Sequence, residues 1–381
     1  MERTLILGGG FGGLTVAHEL AQRLGREHDV VVIDRRPRFV MGLRKPWAVV
    51  GLGALDEGCR DRSTLERRGI RFVEQRVVSI DPGARRVETE SGAFDADRLV
   101  VALGAEPRPD LVPGLAEHAH DLYDVDAIPA LSEAVARFAG GVLRILIAGV
   151  PYKCPPAPYE LAMLLDEQLR ARGLRERSTI VVSTVQPMLL PNAGKAGSAW
   201  LAEQLAARGI EFRTGCKIRG VEASRVILED EEARFDLLIG VPPHRPPRVV
   251  ETSGLAGDGP WIAVDPRTLR TAWDGVYAIG DVTQIKLANG LPLPKAGLFA
   301  ELEGQIVAAA IASELEGAPP PHAFDGRGFC FVETGSRTAA LVEGDFFAKP
   351  EPNVGIREAA AEHAALKRRF EQERLARWFP A

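Results

Sequence analysis

Cysteine is scarce and spaced for neither metal nor cross-links: the 381 residues hold four, Cys59, Cys154, Cys216 and Cys330, none of them in CxxC spacing. That excludes a zinc ribbon, argues against a disulfide scaffold, and leaves any functional cysteine to be catalytic. No CxxxxC follows Asp34 either, which makes the disulfide-reductase class a poor fit. No run approaches the roughly 18 apolar residues of a membrane-spanning helix. No leader is expected, because the first strand begins almost at Met1. A cytoplasmic protein is expected, free or attached to the inner face of a membrane. Positive charge is not in excess, because 47 Lys and Arg stand against 52 Asp and Glu; nucleic acid is not an expected partner. Internal repeats, low-complexity tracts and a metal-ligand cluster are missing too. The breaks are proline-rich, at Pro242-Pro243, Pro246-Pro247 and Pro319-Pro320-Pro321.

What is present is concentrated at the start. An apolar strand, Leu5-Ile6-Leu7, runs into Gly8-Gly9-Gly10-Phe11-Gly12-Gly13, a GxGxxG turn. A helical apolar pattern follows (Leu14, Ala17, Leu20, Ala21, Leu24), and a second strand ends on Asp34. Gly8 makes the sharp turn, Gly10 lets a pyrophosphate approach the backbone, and Gly13 lets helix and strand pack closely. The amides at the helix start, from Phe11 and Gly12 onward, would hold the phosphates. Asp34 lies about 20 residues on, where a carboxylate accepts both ribose hydroxyls. Strand, helix and acid together point to a dinucleotide and leave open whether it is FAD or NAD. The basic loop after Asp34 carries Arg35, Arg44 and Lys45, which reach the phosphate or flavin or are solvated surface.

Residues 71–80 read as one strand, paired through a tight turn at Asp81-Pro82-Gly83 with a strand at 86–90. Residues 97–104 read as a buried strand ending at Gly104. From residue 143 a second βαβ unit begins, with strands at 143–149, 178–183, 210–214 and 235–240 and helices at 160–172 and 200–208. Its first turn is not glycine-rich but reads Gly149-Val-Pro-Tyr-Lys-Cys-Pro-Pro-Ala-Pro-Tyr-Glu160. Four prolines remove four amides from the place where a phosphate would need them, so this nicotinamide site reads as dismantled. The chain then returns to the first domain through Gly280-Asp281, which sets a carboxylate beside a ribityl chain. A helix heralded by Leu293-Pro-Lys-Ala-Gly297 can aim its amino end at a flavin, which favours FAD over NAD.

The Pro151-Tyr-Lys-Cys-Pro-Pro-Ala-Pro-Tyr-Glu160 motif, Gly280-Asp281 with Leu293-Pro-Lys-Ala-Gly297, and Gly328-Phe-Cys330-Phe resemble the sulfide:quinone oxidoreductase and flavocytochrome c sulfide dehydrogenase family. The resemblance covers nearly the whole chain. It implies an enzyme that oxidises sulfide or a related sulfur species through a cysteine pair and FAD, passing electrons to a quinone. Cys154 and Cys330 would be that pair, a thiolate or persulfide being polarizable and nucleophilic toward sulfur. Cys59 and Cys216 are expected to be small buried hydrophobes. Glu160 is either a complement to a helix dipole or the group that moves a proton at the cysteine, and Lys295 would stabilise the reduced ring by charge. Cofactor contacts are expected from Gly8, Gly10, Phe11, Gly12, Gly13, Asp34, Arg35, Lys45, Val78, Gly104, Gly280, Asp281, Lys295, Ala296 and Gly297. Phe331 would flank a quinone or belong to the core. The interval 105–143 lacks the third cysteine of the quinone-reducing branch. Phe39-Val-Met41-Gly lacks the tethering cysteine of the flavocytochrome branch, so noncovalent FAD is expected.

The stretch from Ile356 to Trp378 reads as one helix mixing Leu366, Phe370, Leu375 and Trp378 with Lys367, Arg368, Arg369, Arg374 and Arg377. It suits the membrane interface, a partner subunit in a homo-oligomer, or the chain's own domain. The fold expected is α/β: two Rossmann-like dinucleotide-binding domains, the first discontinuous (1–112 and 242–318), the second inserted (113–241), then a C-terminal segment (319–381) with an amphipathic helix. Two other functions fit the architecture, a type II NADH:quinone oxidoreductase and an FAD-bound redox-sensing protein without catalysis.

Overall fold

A computed structural model describes residues 1–319 and 322–379; Pro320 and Pro321 of the last proline break lie outside the described residues. Five parallel strands build the first sheet, in the spatial order Val276–Ala278, Arg98–Val101, Arg3–Leu7, Asp29–Asp34 and Ile70–Glu74. Its central strands are apolar on both faces, with Leu5, Ile6, Leu7, Val31, Val32, Ile33, Leu99, Val100 and Val101 all buried. That pattern belongs to a parallel sheet covered on two sides. The helix Phe11–Leu24 crosses from the first strand to the second. Strand order reverses beside Arg3–Leu7, so the glycine turn that leaves this strand opens at the switch point, where ligands bind in such sheets.

The second sheet repeats the plan in parallel, in the order His120–Asp121, Leu237–Val241, Gly141–Ile147, Ser178–Thr184 and Glu211–Arg213. Its strand Gly141–Ile147 occupies the place that Arg3–Leu7 holds in the first sheet, and the proline loop leaves it as the glycine loop leaves its counterpart. The helix Ala157–Ala171 follows. Two short antiparallel strands, Glu106–Pro107 and His244–Arg245, pair where the chain leaves the first unit and comes back.

Three antiparallel strands, Arg327–Gly335, Thr338–Asp345 and Asn353–Ala360, and the helix Ala361–Trp378 complete the chain. Here the sequence reading needs correction, because residues 356–360 are strand and the helix starts only at Ala361. The alternation of half-buried Val354 and Ile356 with exposed Gly355 and Arg357 is a period of two, which the alanines that follow disguise. Residues 71–80 also divide, into Ile70–Glu74 of the large sheet and Val77–Asp81 of a separate three-stranded sheet.

The apolar side of the last helix faces inward. Phe370, Leu375 and Trp378 are buried, and Trp378 meets Phe11 and Phe39 edge-on at 5.0 and 5.6 Å. These aromatics are used by the chain's own core, so the helix does not offer them to a membrane. No helix among the described residues is long and apolar enough to cross a membrane.

Candidate active site

The glycine turn separates what packing needs from what a ligand needs. At Gly8 (φ +102°) a β-carbon would strike the Ala102 carbonyl, and at Gly13 it would strike the Gly8 carbonyl. Those two glycines are required by the protein itself. A β-carbon at Gly10 would meet nothing within 4 Å, so the room there is left for something else. Gly10 starts the helix Phe11–Leu24 without a side-chain cap, and no acid lies in the first turn. The long helix Gly297–Leu315 likewise starts uncapped and without an acid. The two starts adjoin, since a β-carbon at Gly297 would stand 3.0 Å from the Phe11 ring. Two sets of free amides and two positive helix ends thus meet at the switch point, a setting suited to a pyrophosphate and an electron-rich ring.

Asp34 accepts hydrogen bonds from the amides of Gly9 (2.7 Å) and Arg36 (2.9 Å). Arg35 is ion-paired with Glu106 at 2.8 Å. Lys45 is half-buried: its ammonium donates to the Tyr123 carbonyl, and desolvation together with nearby Lys153 lowers its pKa to about 7. Arg44 pairs with Glu371 of the C-terminal helix and with Glu57. Val78 lies at a bulge of the small sheet with its side chain exposed, and Gly104 takes a left-handed φ of +70°.

Gly280 (φ +72°) donates its amide to Glu303 at 2.5 Å. Burial raises the Glu303 carboxyl to about 8 and raises Asp281 as well. Lys295 is turned inward. Its ammonium donates to the carbonyls of Asp281 (2.7 Å) and Thr283 (2.9 Å) and lies 3.6 Å from the Trp261 ring centre. Burial lowers its pKa to about 8. Its backbone carbonyl accepts the amide of Cys154 at 2.7 Å, which ties the proline loop to the segment that carries Ala296 and Gly297.

Cys154 takes a left-handed φ of +48°, and its side chain is exposed. Protein nonetheless crowds it, and that desolvation, with Glu160 adding, pushes the thiol up to about 12. Cys330 is half-buried on Arg327–Gly335, the strand that packs along the helix following Cys154. Its thiol is raised by burial and then by the charges of Cys154 and Glu160, so the two sulfurs share one electrostatic neighbourhood. Cys59 and Cys216 are buried, with sulfurs on the carbonyls of Leu55 and Arg213.

Glu160 belongs to a buried triad that the sequence reading missed. One of its oxygens accepts both the Glu333 amide (2.8 Å) and the Lys367 ammonium (2.8 Å), and Lys367 also reaches Glu333 at 2.9 Å. The Trp47 indole donates to the same Glu333 oxygen at 2.6 Å. Burial raises Glu160; burial works against the Lys367 charge, but the two carboxylates outweigh it and raise Lys367. Phe331 is buried in an aromatic cluster with Phe329 (5.4 Å) and Phe370 (5.9 Å), one helical turn beyond Lys367. No group of acids, histidines and cysteines fit to hold a metal occurs among the described residues.

Residues 2–293 match the family described as pyridine nucleotide-disulphide oxidoreductase. The chain belongs to that family. It is 27% identical over 364 residues to the mitochondrial sulfide:quinone oxidoreductase of Mus musculus, covering 91% of this chain and 78% of that one. It is 23% identical over 337 residues to the type II NADH:quinone oxidoreductase of Staphylococcus saprophyticus, covering 84% of each. The solved sulfide:quinone oxidoreductase of Aquifex aeolicus superposes with a TM-score of 0.89 at 24% identity, over 99% of this chain and 91% of that one.

Proposed function

We propose that this protein oxidises sulfide, or a related small sulfur species, through Cys154 and Cys330 and passes the electrons to a quinone, with FAD held noncovalently. The observation that carries the reading is the proline loop. At the position where a nicotinamide-binding turn would present amides, four prolines withhold them and Cys154 is held forward in a left-handed conformation against the flavin-side segment. The fit to FAD rests on the space left at Gly10 and the two uncapped helix ends. Gly8 to Gly13 and Asp34 would hold the adenylate and pyrophosphate, and Gly280, Asp281, Ala296 and Gly297 the ribityl and ring end. Bound there, FAD supplies a two-electron acceptor that can be reoxidised by quinone.

Hydrosulfide loses two electrons and a proton as its sulfur becomes sulfane sulfur on a cysteine. The residues at hand divide that work. With the Cys154–Cys330 pair oxidised to a disulfide, hydrosulfide attacks one sulfur and forms a persulfide there, the S–S bond breaks, and the other cysteine leaves as the thiolate, whose electron pair bound FAD would accept. Glu160, locked by Lys367, sets the local field and is placed to receive a proton near the thiols. Lys295, only 6% exposed, would put a cation behind the ring end. Half-buried Phe329, packed edge-on against buried Phe331 and Phe370, is the part of the aromatic cluster beside Cys330 left for a quinone ring to meet. Such an acceptor brings the protein to the inner face of a membrane through some surface other than the buried side of its last helix.

The NADH:quinone relatives support the second reading, and the missing amides weigh against it. Anaerobic titration separates the two. Sulfide is expected to bleach the flavin absorbance within seconds and NADH to leave it oxidised; rapid bleaching by NADH with none by sulfide would refute the assignment.

A further inference from the structure

We infer that Arg62 is a positioning residue for the dinucleotide, acting through Gly9 and Asp34. The inference rests on the dinucleotide reading of the glycine turn. In the GxGxxG pattern position 9 is free to be any residue, yet here it is glycine, and the reason lies behind the loop. A β-carbon at Gly9 would fall on the Arg62 Nε. Arg62 is 5% exposed, and its guanidinium is fully committed. Nε and Nη2 donate to the Gly9 carbonyl at 3.0 and 2.7 Å, and Nη1 donates to the carbonyls of Arg36 (2.8 Å) and Arg38 (2.6 Å). Nη2 also lies 3.4 Å from Asp34 Oδ2, the oxygen that accepts the Gly9 amide.

Residue 9 is thereby fixed from both sides, through the two peptide units that flank its α-carbon. Arg62 holds the carbonyl of Gly9, Asp34 holds its amide, and the cation steadies the carboxylate. Only arginine has a rigid fork able to span three carbonyls and a carboxylate at once. A lysine keeps the charge but not the geometry. With the loop and Asp34 held in advance, the ligand need not order them on binding, which raises affinity without any direct contact.

The test uses the whole chain, stripped of flavin and titrated with FAD by fluorescence quenching. Arg62→Met is expected to weaken FAD binding on the order of tenfold or more, and Arg62→Lys by less. Once saturated with FAD, both variants should keep the wild-type flavin spectrum. Gly9→Ala should weaken FAD binding in the wild type, where it strikes Arg62, and add little in the Arg62→Met background. Unchanged affinity in Arg62→Met, an equal effect of Gly9→Ala in both backgrounds, a loaded variant with an altered spectrum, or failure of both Arg62 variants to fold would each overturn the assignment. A wild type that takes up no FAD would overturn the dinucleotide reading as well.

Discussion

The turns after Arg3–Leu7 and after Gly141–Ile147 occupy the same place in two copies of one architecture and are built for opposite purposes. The first is open backbone, with glycine where a ligand must come close and amides left without partners. The second is closed by prolines, anchored through the Cys154 amide, and carries a side chain where the first carries space. On the function proposed, the sheet and helix fix where a ligand would sit, and the residue types of one short loop would decide whether that place binds a phosphate or delivers a thiol. The loops also differ in what supports them. The glycine loop is braced from within its own domain by Arg62 and Asp34, whereas the proline loop's helix is tied through Glu160 to Lys367 on the last helix of the chain.

The contrast is broken most severely at Cys154. Cys154→Ser is expected to slow anaerobic flavin reduction by sulfide on the order of a thousandfold or more, while Cys216→Ser, at a buried site with no place in the chemistry, leaves it unchanged. Stopped-flow absorbance reads both. Lys367→Met should come next, since it strands two buried carboxylates and is expected to destabilise the fold by about 3–5 kcal/mol in denaturant unfolding. Equal stability of that variant would show that the second loop does not depend on the last helix.

Gly10→Val sharpens the difference on the other side. Because no protein atom occupies that space, the flavin-free protein should unfold as the wild type does while FAD affinity falls on the order of a hundredfold. Gly13→Ala, driven into the Gly8 carbonyl, should instead destabilise the fold by about 1–3 kcal/mol.

The smallest effect concerns pH. Burial raises Glu303 from 4.5 to about 8, so the folded state holds this proton more tightly than the unfolded chain. Its contribution to stability is present in full below pH 4.5 and is lost as pH rises to about 8. Glu303→Gln should remove that part of the slope in melts of the flavin-free protein, and an unchanged slope would count against it.

Much of the fold was legible because parallel sheets leave strong marks: uninterrupted apolar runs such as residues 5–7 and 145–148, each followed by a turn and a helical pattern. The strand 353–360 was not legible, since Ala359 to Ala365 continues into the helix without a cap or breaker. The glycine turn and both cysteines of the neighbourhood around Glu160 stood out as residue types in unusual settings. Lys367 and Arg62 did not. Each is a basic residue among basic residues, and sequence periodicity cannot distinguish a cation in solvent from one whose carboxylate partner lies 207 positions away. The signal that could have found Arg62 was the surplus glycine at position 9.

The central claim is that the second loop delivers a reacting thiol. The direct measurement is mass spectrometry of the Cys154 and Cys330 peptides after one equivalent of sulfide has been consumed anaerobically by FAD-loaded protein. One additional sulfur atom on either cysteine, appearing in step with flavin bleaching, is the predicted result. Bleaching that leaves both peptides and their Cys154→Ser counterparts at their starting masses and rates would contradict it.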